Sequence, residues 1–466
     1  MAKRVRDNYL EPVKMFGNLY FVGMYDASTH IIDTGAGLIL IDPGYARNLP
    51  TVVKNIRKLG FDVTDVKYVI LSHGHGDHAE GVAPLLMLTD AKTFIGADDL
   101  HFVKKDFIPD VLLRDGDEIT LGNTTVRCLS TPGHTDGTMS LFFDVTDGER
   151  TLRAGMHGGA GTNTLVRDFM ETHDLPAENR QKFIDSLERL RGEHVDIFVG
   201  NHTWNNDTDL KIEATLRGER DAFVVAGEWE AFLDERMGRI LEIIAADAES
   251  DRKRAEAIAA IEAGRVITIV RGVKREQLID LAEAMYRGGI RLLECTYDAS
   301  GKTTDAETAE NIAMLARHFG DRMLIGAGTV LTEEQVLLTK RAGGRFIISP
   351  DTNADVIART VREGLVSIPG ALTPTEVAAA WRAGADFVKL FPVATMGASY
   401  VKDLKAPLSH VRLLAVGGIN EHNAADYLAA GVCGIGIASG IVDKKMLANG
   451  DFDGITRLAR KYTEIG

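Results

Sequence analysis

Eight short apolar runs, separated by helical stretches, occupy the second half of this 466-residue chain. Strands that are covered on both faces appear as continuous apolar runs, because neither face meets water. Eight such strand–helix units over about 200 residues predict a (β/α)8 barrel, and hence an α/β protein. The runs are Val266–Val270, Leu292–Cys295, Met323–Ile325, Phe346–Ile348, Val366–Ile368, Phe387–Phe391, Leu413–Val416 and Ile435–Ile437.

Two charged residues interrupt these apolar runs. Lys389 lies within Phe387–Phe391, and Glu294 lies within Leu292–Cys295. Both faces of a barrel strand are covered, so burial should lower the pKa of the lysine and leave a neutral amine. Such an amine is the nucleophile that forms an imine with a carbonyl substrate, and a nearby carboxylate can move the protons. The alternative interpretation is a purely structural Lys–Glu pair.

The first half carries a dense group of side chains that can bind metal ions. His73, His75, Asp77 and His78 lie within one short segment, directly after the apolar run Tyr68–Leu71. In an extended segment, residues two apart point the same way, so His73 and His75 can bind one ion together. The glycines of the segment let the chain turn tightly and direct Asp77 and His78 toward a second ion.

Two further histidines complete this candidate metal site. His134 and His202 each follow an apolar, strand-like segment. Three neutral imidazoles that leave a coordination position open are typical of a catalytic zinc site rather than a closed structural one. A bound ion lowers the pKa of its water to about 7, which predicts hydrolysis of an ester, lactone, thioester or amide. A metal site without a catalytic role is the alternative.

The length and the change of character along the chain predict two domains. A chain of this length exceeds one ordinary core. Between about residue 205 and residue 262 the strands give way to a charged, helical region, and Ala245–Arg254 lacks an apolar stripe, as expected of a solvated helical linker. We place a metal-hydrolase domain with a helical extension at residues 1–248 and the barrel at residues 249–466.

The amino-acid composition limits the kinds of molecule that this chain is expected to bind. The net charge is −14 with no basic stripe, which argues against nucleic acid and anionic membrane surfaces as partners and favours small-molecule substrates. Three widely spaced cysteines argue against a disulfide framework. No run approaches the roughly 18 apolar residues of a membrane span, and Met1–Asp7 lacks the apolar segment of a secretory signal. A cytoplasmic location is therefore expected.

The motifs of the first half resemble those of the metallo-β-lactamase-fold hydrolases over roughly residues 10–205. Besides the histidine segment, the matching stretches are Ala36–Gly44, Ser130–Gly137 and Ile197–His202. The resemblance implies an αβ/βα sandwich that holds two divalent ions, for which zinc is the expected metal. It implies His73, His75 and His134 on the first ion and Asp77, His78 and His202 on the second, with Asp77 orienting the nucleophile and Asp42 as an acid beside the site.

One position departs from that family. Many hydrolytic members carry an aspartate that bridges both ions, and Met156 takes its place here, within Arg153–His157. A thioether is a poor ligand for a hard divalent ion. The second ion should therefore depend on Asp77, His78, His202 and water, because the adjacent His157 would face the other way along a strand.

The second half resembles the 2-keto-3-deoxy-6-phosphogluconate / 4-hydroxy-2-oxoglutarate aldolase family from about residue 255 onward. The matching motifs are Ile325–Val330, Ile348–Pro350, Ile368–Gly370, Val388–Pro392 and Val416–Ile419. The resemblance implies a class I aldolase without a cofactor, and a homo-oligomer, with a trimer as the form the family suggests. It implies Lys389 as the Schiff-base lysine, Glu294 as acid and base, Arg271 and Thr329 at the pyruvyl carboxylate, and Gly417, Gly418 and Ser439 at a phosphate.

Two positions depart from the aldolase pattern. The family often has an arginine four residues after the glutamate, where this chain has Asp298, and a threonine before the glycine pair, where it has Val416. The loss of a cation near the substrate leaves the identity of the keto acid open, although it leaves the imine chemistry intact.

The sequence thus predicts a bifunctional enzyme, a lyase joined to a metal-dependent hydrolase. A lactonase is one hypothesis for the hydrolase, since opening a sugar lactone precedes cleavage of a keto-deoxy sugar acid. A thioesterase similar to glyoxalase II, and a catalytically weak structural or binding module, are the alternatives. A β-lactamase role is disfavoured because no export signal is visible.

Overall fold

The structure, a computed structural model, describes residues 8–465. The chain separates into two compact units that divide between Ala245 and Ala246. Met1–Asp7, where we expect no secretory signal, lies outside the described residues. No helix within residues 8–465 combines the length and the low polarity that a membrane crossing requires.

A seven-stranded sheet forms one layer of the first unit. Its strands are β1 (Val13–Phe16), β2 (Leu19–Phe21), β3 (His30–Asp33), β4 (Leu38–Ile41), β5 (Val66–Ile70), β6 (Lys92–Gly96) and β7 (Val111–Leu113), in this order across the sheet. Neighbours are antiparallel from β1 to β4 and parallel from β4 to β7. The carboxyl ends of β4 and β5 therefore share one edge, which brings Asp42 close to the histidine segment.

A five-stranded sheet forms the second layer. Its strands are β8 (Glu118–Leu121), β9 (Thr124–Ser130), β10 (Met139–Thr146), β11 (Thr151–Met156) and β12 (Ile197–Phe198), and β11 lies between β10 and β12. All neighbours are antiparallel except β11 and β12, which are parallel. His134 follows the end of β9, and His202 follows the end of β12.

Helices cover the outer faces of both sheets. The helices of this unit are α1 (Leu49–Lys58), α2 (Gly76–Ala79), α3 (Val82–Leu86), α4 (Leu100–Val103), α5 (Arg167–Thr172), α6 (Asn179–Leu190), α7 (Thr208–Leu216) and the start of α8 (Glu228–Gly264). The inner faces meet in one core, to which Ile39 and Ile70 of one sheet and Leu141 and Phe143 of the other belong. Helices α1 and α3 pack on the first sheet, and α6 and the start of α8 pack on the second. The predicted αβ/βα sandwich is confirmed.

Helix α8 is 37 residues long and crosses the division between the units. Its early residues Trp229 and Phe232 belong to the core of the first unit, and its late residues Ala257 and Ile261 belong to a core of the second. None of residues 245–254 is buried. The charged stretch is thus a solvent-facing part of one continuous helix.

Parallel strands form the barrel of the second unit. They are β13 (Val266–Val270), β14 (Leu292–Thr296), β15 (Leu324–Gly328), β16 (Phe346–Ile348), β17 (Val366–Ile368), β18 (Gly370–Ala371), β19 (Val388–Leu390), β20 (Leu413–Val416) and β21 (Gly434–Ile437). The β13 strand pairs with both β14 and β21, and the ladder continues to β17 on one side and β18 on the other. Strand β17 is the predicted run Val366–Ile368, and only Pro369, which has no N–H to donate, separates it from β18, a two-residue strand that was not predicted.

This topology confirms the (β/α)8 barrel, and each of the eight predicted runs overlaps one of its strands. The helices that follow the strands are α9 (Leu278–Arg287), α10 (Asp305–Phe319), α11 (Glu333–Arg341), α12 (Ala354–Arg362), α13 (Pro374–Arg382), α14 (Gly397–Lys405), α15 (Ala424–Ala429), α16 (Lys444–Ala448) and α17 (Phe452–Thr463). Local signals set several of their starts. Thr304 and Glu307 form a reciprocal capping box at α10, and Thr373 caps α13 just before a proline in its first turn.

Candidate active sites

The histidine segment is fastened to the end of β4 by Asp42. The backbone N–H of Ser72 donates to the Asp42 carboxylate at 2.8 Å, and the Ser72 hydroxyl donates at 2.6 Å. Asp42 is fully buried and has a left-handed φ of 52°, a conformation that aspartate tolerates better than most residues. Directly after His75 the chain enters α2, so Asp77 and His78 lie in the first turn of a helix.

The first predicted ligand set comes together. His73, His75 and His134 place one ring nitrogen each within 4.8 Å of one another. Within this set, His75 Nδ1 and His134 Nε2 are 3.1 Å apart. Burial, together with the neighbouring imidazoles, lowers the pKa of His73 and lowers that of His134 to about 3. These imidazoles are therefore neutral, which is the form that binds a metal ion.

The second predicted set adjoins the first. Oδ2 of Asp77 lies 3.4 Å from Nε2 of His78 and 3.6 Å from Nε2 of His202. His73 also lies within 4.8 Å of the donor atoms of Asp77 and His78, so it stands between the two sets. Burial opposes a charge on His78, yet the carboxylates of Asp42 and Asp77 together raise its pKa to about 10.

The contacts of the two ring nitrogens in each histidine test whether these residues fit metal ions. Nε2 of His78 is buried and makes no hydrogen bond to a described residue, and its nearest charged neighbour is Oδ2 of Asp77 at 3.4 Å, a second metal-binding atom. The opposite nitrogens have oxygen partners, which is how metal-binding histidines are oriented. The contacts are His78 Nδ1 to Asp42 at 2.9 Å, His202 Nδ1 to the Asp26 carbonyl at 2.7 Å and His134 Nδ1 to the Gly161 carbonyl at 2.8 Å. The residues therefore fit divalent ions: five of the six, all but His202, belong to two groups of donor atoms that could hold an ion, and Nε2 of His202 lies beside Oδ2 of Asp77.

Asp99 is a residue of this site that the sequence reasoning missed. Its buried carboxylate accepts the backbone N–H of Gly74 at 2.7 Å and that of Gly137 at 2.8 Å, and also the Thr135 hydroxyl at 2.8 Å. Gly74 belongs to the histidine segment, and Thr135 and Gly137 follow His134. Asp99 thereby joins the two loops that carry the first ligand set.

Two exposed aromatic rings flank the ligands, and these too were not anticipated. The ring of Trp204 stacks on that of His202, with centroids 4.4 Å apart and planes 9° from parallel. The ring of Phe102 meets that of His75 edge-on at 5.2 Å. Both rings are exposed, Trp204 by 53% and Phe102 by 40%, so they offer apolar contact area beside the ligands.

Met156 and His157 stay away from the ligands. Met156 is fully buried in the core between the two sheets. The ring of His157 lies against Phe183 and Phe232, and its Nδ1 accepts the backbone N–H of Gly159 at 3.3 Å. Among residues 8–465, His157 belongs to neither group of donor atoms that could hold an ion.

In the barrel, Lys389 and Glu294 are both buried, with 7% and 2% of their surfaces exposed. Burial lowers the pKa of Lys389, and the nearby Glu294 carboxylate only partly offsets this. Burial likewise raises the pKa of Glu294, against the opposing effect of Lys389. The described structure shows no hydrogen bond and no ion pair within 4.0 Å between the two, so they interact through space.

Space for the Glu294 carboxylate is left by Gly328, the last residue of β15. A Cβ at position 328 would overlap the carboxylate. The amine of Lys389 lies 4.6 Å from the ring centre of Phe391, which is two residues further along the chain. The Glu294 carboxylate and the buried Lys389 amine thus interact electrostatically inside a closely packed barrel.

Arg271 connects the predicted carboxylate and phosphate positions. Its Nη2 lies 3.2 Å from the hydroxyl of Thr329, a residue with a left-handed φ of 57°. Arg271 lines a cavity of about 340 Å³ together with Thr329 and Asp298, and a second cavity of about 570 Å³ together with Ser439. The cationic side chain therefore stands between the two cavities.

Gly417 and Gly418 form the turn after β20. Both have positive φ, 92° and 80°, which favours glycine. A Cβ at Gly418 would lie 2.5 Å from the Cβ of Ala394, so the turn is also closely packed. Like Ser439, which follows β21, the pair lies at the carboxyl end of the barrel strands.

The carboxylate of Asp298 is hydrogen-bonded within its own loop, the one that follows β14. It accepts the backbone N–H groups of Ser300 at 2.9 Å and of Lys302 and Thr303 at 3.1 Å each. It accepts the Ser300 hydroxyl as well, at 2.7 Å. The aspartate therefore organises the loop after β14 and leaves Arg271 and Lys302 as the cations that line this cavity. Val416, the other departure, is a buried residue at the end of β20.

Comparison with known families agrees with both halves. The model of the metallo-beta-lactamase superfamily matches residues 22–202, and that of KDPG and KHG aldolase matches residues 257–458. The chain is 36% identical over 210 residues to a 2-dehydro-3-deoxy-phosphogluconate aldolase of Treponema pallidum, covering 44% of this chain and 95% of that protein. It is 35% identical over 175 residues to a 2-dehydro-3-deoxy-6-phosphogalactonate aldolase of Escherichia coli, covering 37% of this chain and 82% of that protein.

Among solved structures, the native FEZ-1 metallo-beta-lactamase from Legionella gormanii is 26% identical, with a TM-score of 0.47 over 51% of this chain and 96% of that one. The resemblances inferred from the sequence are confirmed by the two family matches. Both are families of enzymes, one of lyases and one of hydrolases. The chain belongs to the KDPG and KHG aldolase family through its second half, which is fused to a domain of the metallo-beta-lactamase superfamily.

Proposed function

We propose that the barrel is a class I aldolase that cleaves a substrate of the 2-keto-3-deoxy-6-phosphogluconate or 4-hydroxy-2-oxoglutarate type. The products are pyruvate and an aldehyde. The observation that carries this proposal is the burial of Lys389, whose pKa is lowered, beside the buried Glu294. The barrel needs no cofactor for this chemistry, because the protonated imine formed on the lysine accepts the electron pair of the breaking bond.

The reaction begins at the amine of Lys389. Its neutral Nζ attacks the 2-keto carbon, Glu294 gives a proton to the hydroxyl that leaves as water, and a protonated imine and the Glu294 carboxylate result. Glu294 accepts the proton of the C4 hydroxyl as the C3–C4 bond breaks, and the electron pair of that bond passes into the imine to form an enamine and release the aldehyde. A proton delivered to C3 regenerates the imine, and water then frees pyruvate and the lysine.

The ends of the substrate are held by residues that follow the carboxyl ends of the barrel strands. Arg271 and the hydroxyl of Thr329 bind the pyruvyl carboxylate in this proposal, and Gly417, Gly418 and Ser439 bind the phosphate through backbone N–H groups and a hydroxyl. The shared position of Arg271 in both cavities supports a substrate that spans them.

The experiment that tests the imine is reductive trapping. The full chain is incubated with pyruvate and borohydride, and the modified peptide is identified by mass spectrometry. We expect the label on Lys389, no label in Lys389→Arg, and an undiminished label in Lys402→Arg, an exposed lysine of α14. A label on another lysine, or none at all, would remove the imine mechanism.

For the first domain we propose a binuclear metal-dependent hydrolase, with two divalent ions, zinc being the expected metal. His73, His75 and His134 would hold one ion, and Asp77, His78 and His202 the other. Bound divalent ions supply an activated water at neutral pH and polarise the attacked carbonyl. Asp77 orients the attacking water and accepts its proton at Oδ2, and Trp204 and Phe102 contact the apolar part of the substrate.

A lactone is the substrate class that we favour, because ring opening of a sugar lactone yields an acid that a keto-deoxy acid pathway consumes. The competing candidates are a thioesterase and a structural module. Full chain reconstituted with zinc is assayed against sugar lactones, acyl thioesters and β-lactams, with His75→Ala as the inactive control. Turnover confined to thioesters would replace the lactonase with a thioesterase, and zinc binding without any turnover would favour the structural role.

The second half also carries a proposal about assembly. Its family suggests a homo-oligomer, with a trimer formed through the barrel. Analytical ultracentrifugation of the full chain tests this, since a monomer at micromolar concentration would reject it. We further propose a cytoplasmic location, with small-molecule substrates and without nucleic-acid or membrane partners, in keeping with the net charge of −14.

A further inference from the structure

A cavity of about 900 Å³ lies at the end of the barrel opposite the candidate aldolase site. Among its lining residues, Arg291 precedes β14, Met323 precedes β15 and Arg345 precedes β16. Those positions are the amino ends of parallel strands. The candidate substrate-binding residues Arg271 and Ser439 follow the carboxyl ends instead. The cavity is therefore separate from the proposed reaction.

Small side chains create the room. The walls contributed by α8 and α10 consist largely of alanine and glycine: Ala257, Ala260, Ala263, Gly264, Ala313 and Ala316. Leu324 and Ile325, at the start of β15, add branched apolar carbon. A cavity of this volume is within the range of small-molecule sites and far exceeds what one inorganic ion fills. The apolar walls suit a carbon skeleton.

Five arginines line the same cavity, namely Arg291, Arg317, Arg322, Arg341 and Arg345. Against them stand two carboxylates, Glu256 and Asp321. The whole chain has 67 acidic and 53 basic residues, so this excess of guanidinium groups runs against its overall charge. One of the two carboxylates, Glu256, is already paired with Arg252.

Two of the guanidinium groups are uncommitted. The side chains of Arg317 and Arg341 make no hydrogen bond and no ion pair with any residue in the described part of the chain. By contrast, Arg322 bonds to Glu283 at 3.2 Å, and Arg291 donates to the carbonyls of Tyr286 and Ile290 at 2.9 Å each. Arginine presents planar, paired donors that match the oxygens of phosphate, so Arg317 and Arg341 are available for an anionic ligand.

We propose that this cavity is a binding site for a phosphorylated organic anion of about nucleotide size. The phosphates bind Arg317 and Arg341, with the other three arginines contributing positive potential, and the organic part packs on the alanine-rich wall. The proposal is independent of the function proposed for either active site, because it uses none of their residues.

Calorimetric titration of the full chain with adenosine triphosphate, without added metal, tests the site. We expect saturable binding that the double variant Arg317→Ala/Arg341→Ala weakens at least about tenfold, because two charge-assisted contacts are lost. Arg382→Ala/Arg460→Ala is the matched control, since these exposed arginines also end barrel helices but do not line the cavity. The control should bind like the unaltered chain, and all variants should keep the aldolase kcat/KM.

Three results would overturn the proposal. The first is the absence of saturable binding up to about 5 mM adenosine triphosphate, a concentration above the dissociation constant expected of a specific site. The second is equal binding by the double variant, which would place the ligand elsewhere in the chain, the candidate phosphate pocket included. The third is equal affinity for inorganic triphosphate, which would show that the apolar wall contributes nothing.

Discussion

The carboxylate of Asp99 accepts the backbone N–H of Gly74 at 2.7 Å, and through that bond it holds the loop of His73 and His75. The same carboxylate accepts the N–H of Gly137, beyond His134. We expect Asp99→Asn to weaken zinc binding by about 10- to 100-fold. The amide keeps one oxygen acceptor and replaces the other with an NH2 group, so one of the two backbone hydrogen bonds is lost. Competition with a chelator measures the affinity.

Asp98→Asn, an exposed neighbour, is the control for that variant. The aldolase kcat/KM should stay unchanged in both proteins, since the barrel is a separate unit. Unaltered zinc affinity in Asp99→Asn would show that the two loops are held without the carboxylate.

The two ligand sets make a prediction about stoichiometry. His75→Ala should lose the first ion and His202→Ala the second, so each variant should retain about one of two zinc equivalents. His101→Ala, an exposed histidine outside both sets, should retain both. Elemental analysis after gel filtration counts the ions. Loss of both ions from either variant would mean that the two positions do not fill independently.

The pH dependence of imine formation follows from the environment of Lys389. Burial lowers the pKa of this lysine from 10.5, so the rate of reductive labelling by pyruvate should reach its plateau well below the pH at which a free lysine deprotonates. The Glu294 carboxylate opposes that shift by favouring the ammonium form. Glu294→Gln should therefore lower the pKa further and move the rising limb of the profile to lower pH.

The rate of reductive labelling by pyruvate is measured at a series of pH values under single-turnover conditions, and the rising part of the profile gives the pKa of Lys389. Glu283→Gln, a surface glutamate of α9, is the control and should leave the limb in place. A shift to higher pH in Glu294→Gln would contradict the proposed coupling, because it would mean that the carboxylate destabilises the ammonium.

Gly328 gives a steric test of the same site. A Cβ at this position overlaps the Glu294 carboxylate, so Gly328→Ala should displace the proton-transfer group and lower the aldolase kcat by about 100-fold or more. Overpacking of the barrel should cost about 1–3 kcal/mol in the free energy of unfolding, measured with urea. Gly238→Ala in α8 meets nothing within 4 Å and is the control. Full activity in Gly328→Ala would show that Glu294 can act from another position.

Much of this architecture could be predicted from local pattern. The apolar runs of the barrel are visible because each strand is buried on both faces, and the ligands from His73 to His78 are visible because they crowd into six residues. One such run, Val366–Ile368, ends at Pro369, because proline has no N–H with which to continue the ladder.

Residues that act through distant contacts could not be found in this way. Asp99 stands in an ordinary acidic stretch, and only folding brings it to Gly74 and Gly137. The side chain of Trp204 is two positions from His202, yet its stacking depends on the turn between them. The arginine-lined cavity draws on residues from 256 to 345, none of which forms a motif.

The presence of an uncharged, buried methionine at position 156 affects the charge of the proposed metal centre. Six side chains surround the proposed pair of divalent ions, and Asp77 is the sole carboxylate among them; a bridging aspartate at position 156 would have added a second negative charge. With both ions bound, the centre is strongly electropositive. Substrates that bring their own negative charge, such as acidic lactones, should therefore show a lower KM than neutral ones of the same size.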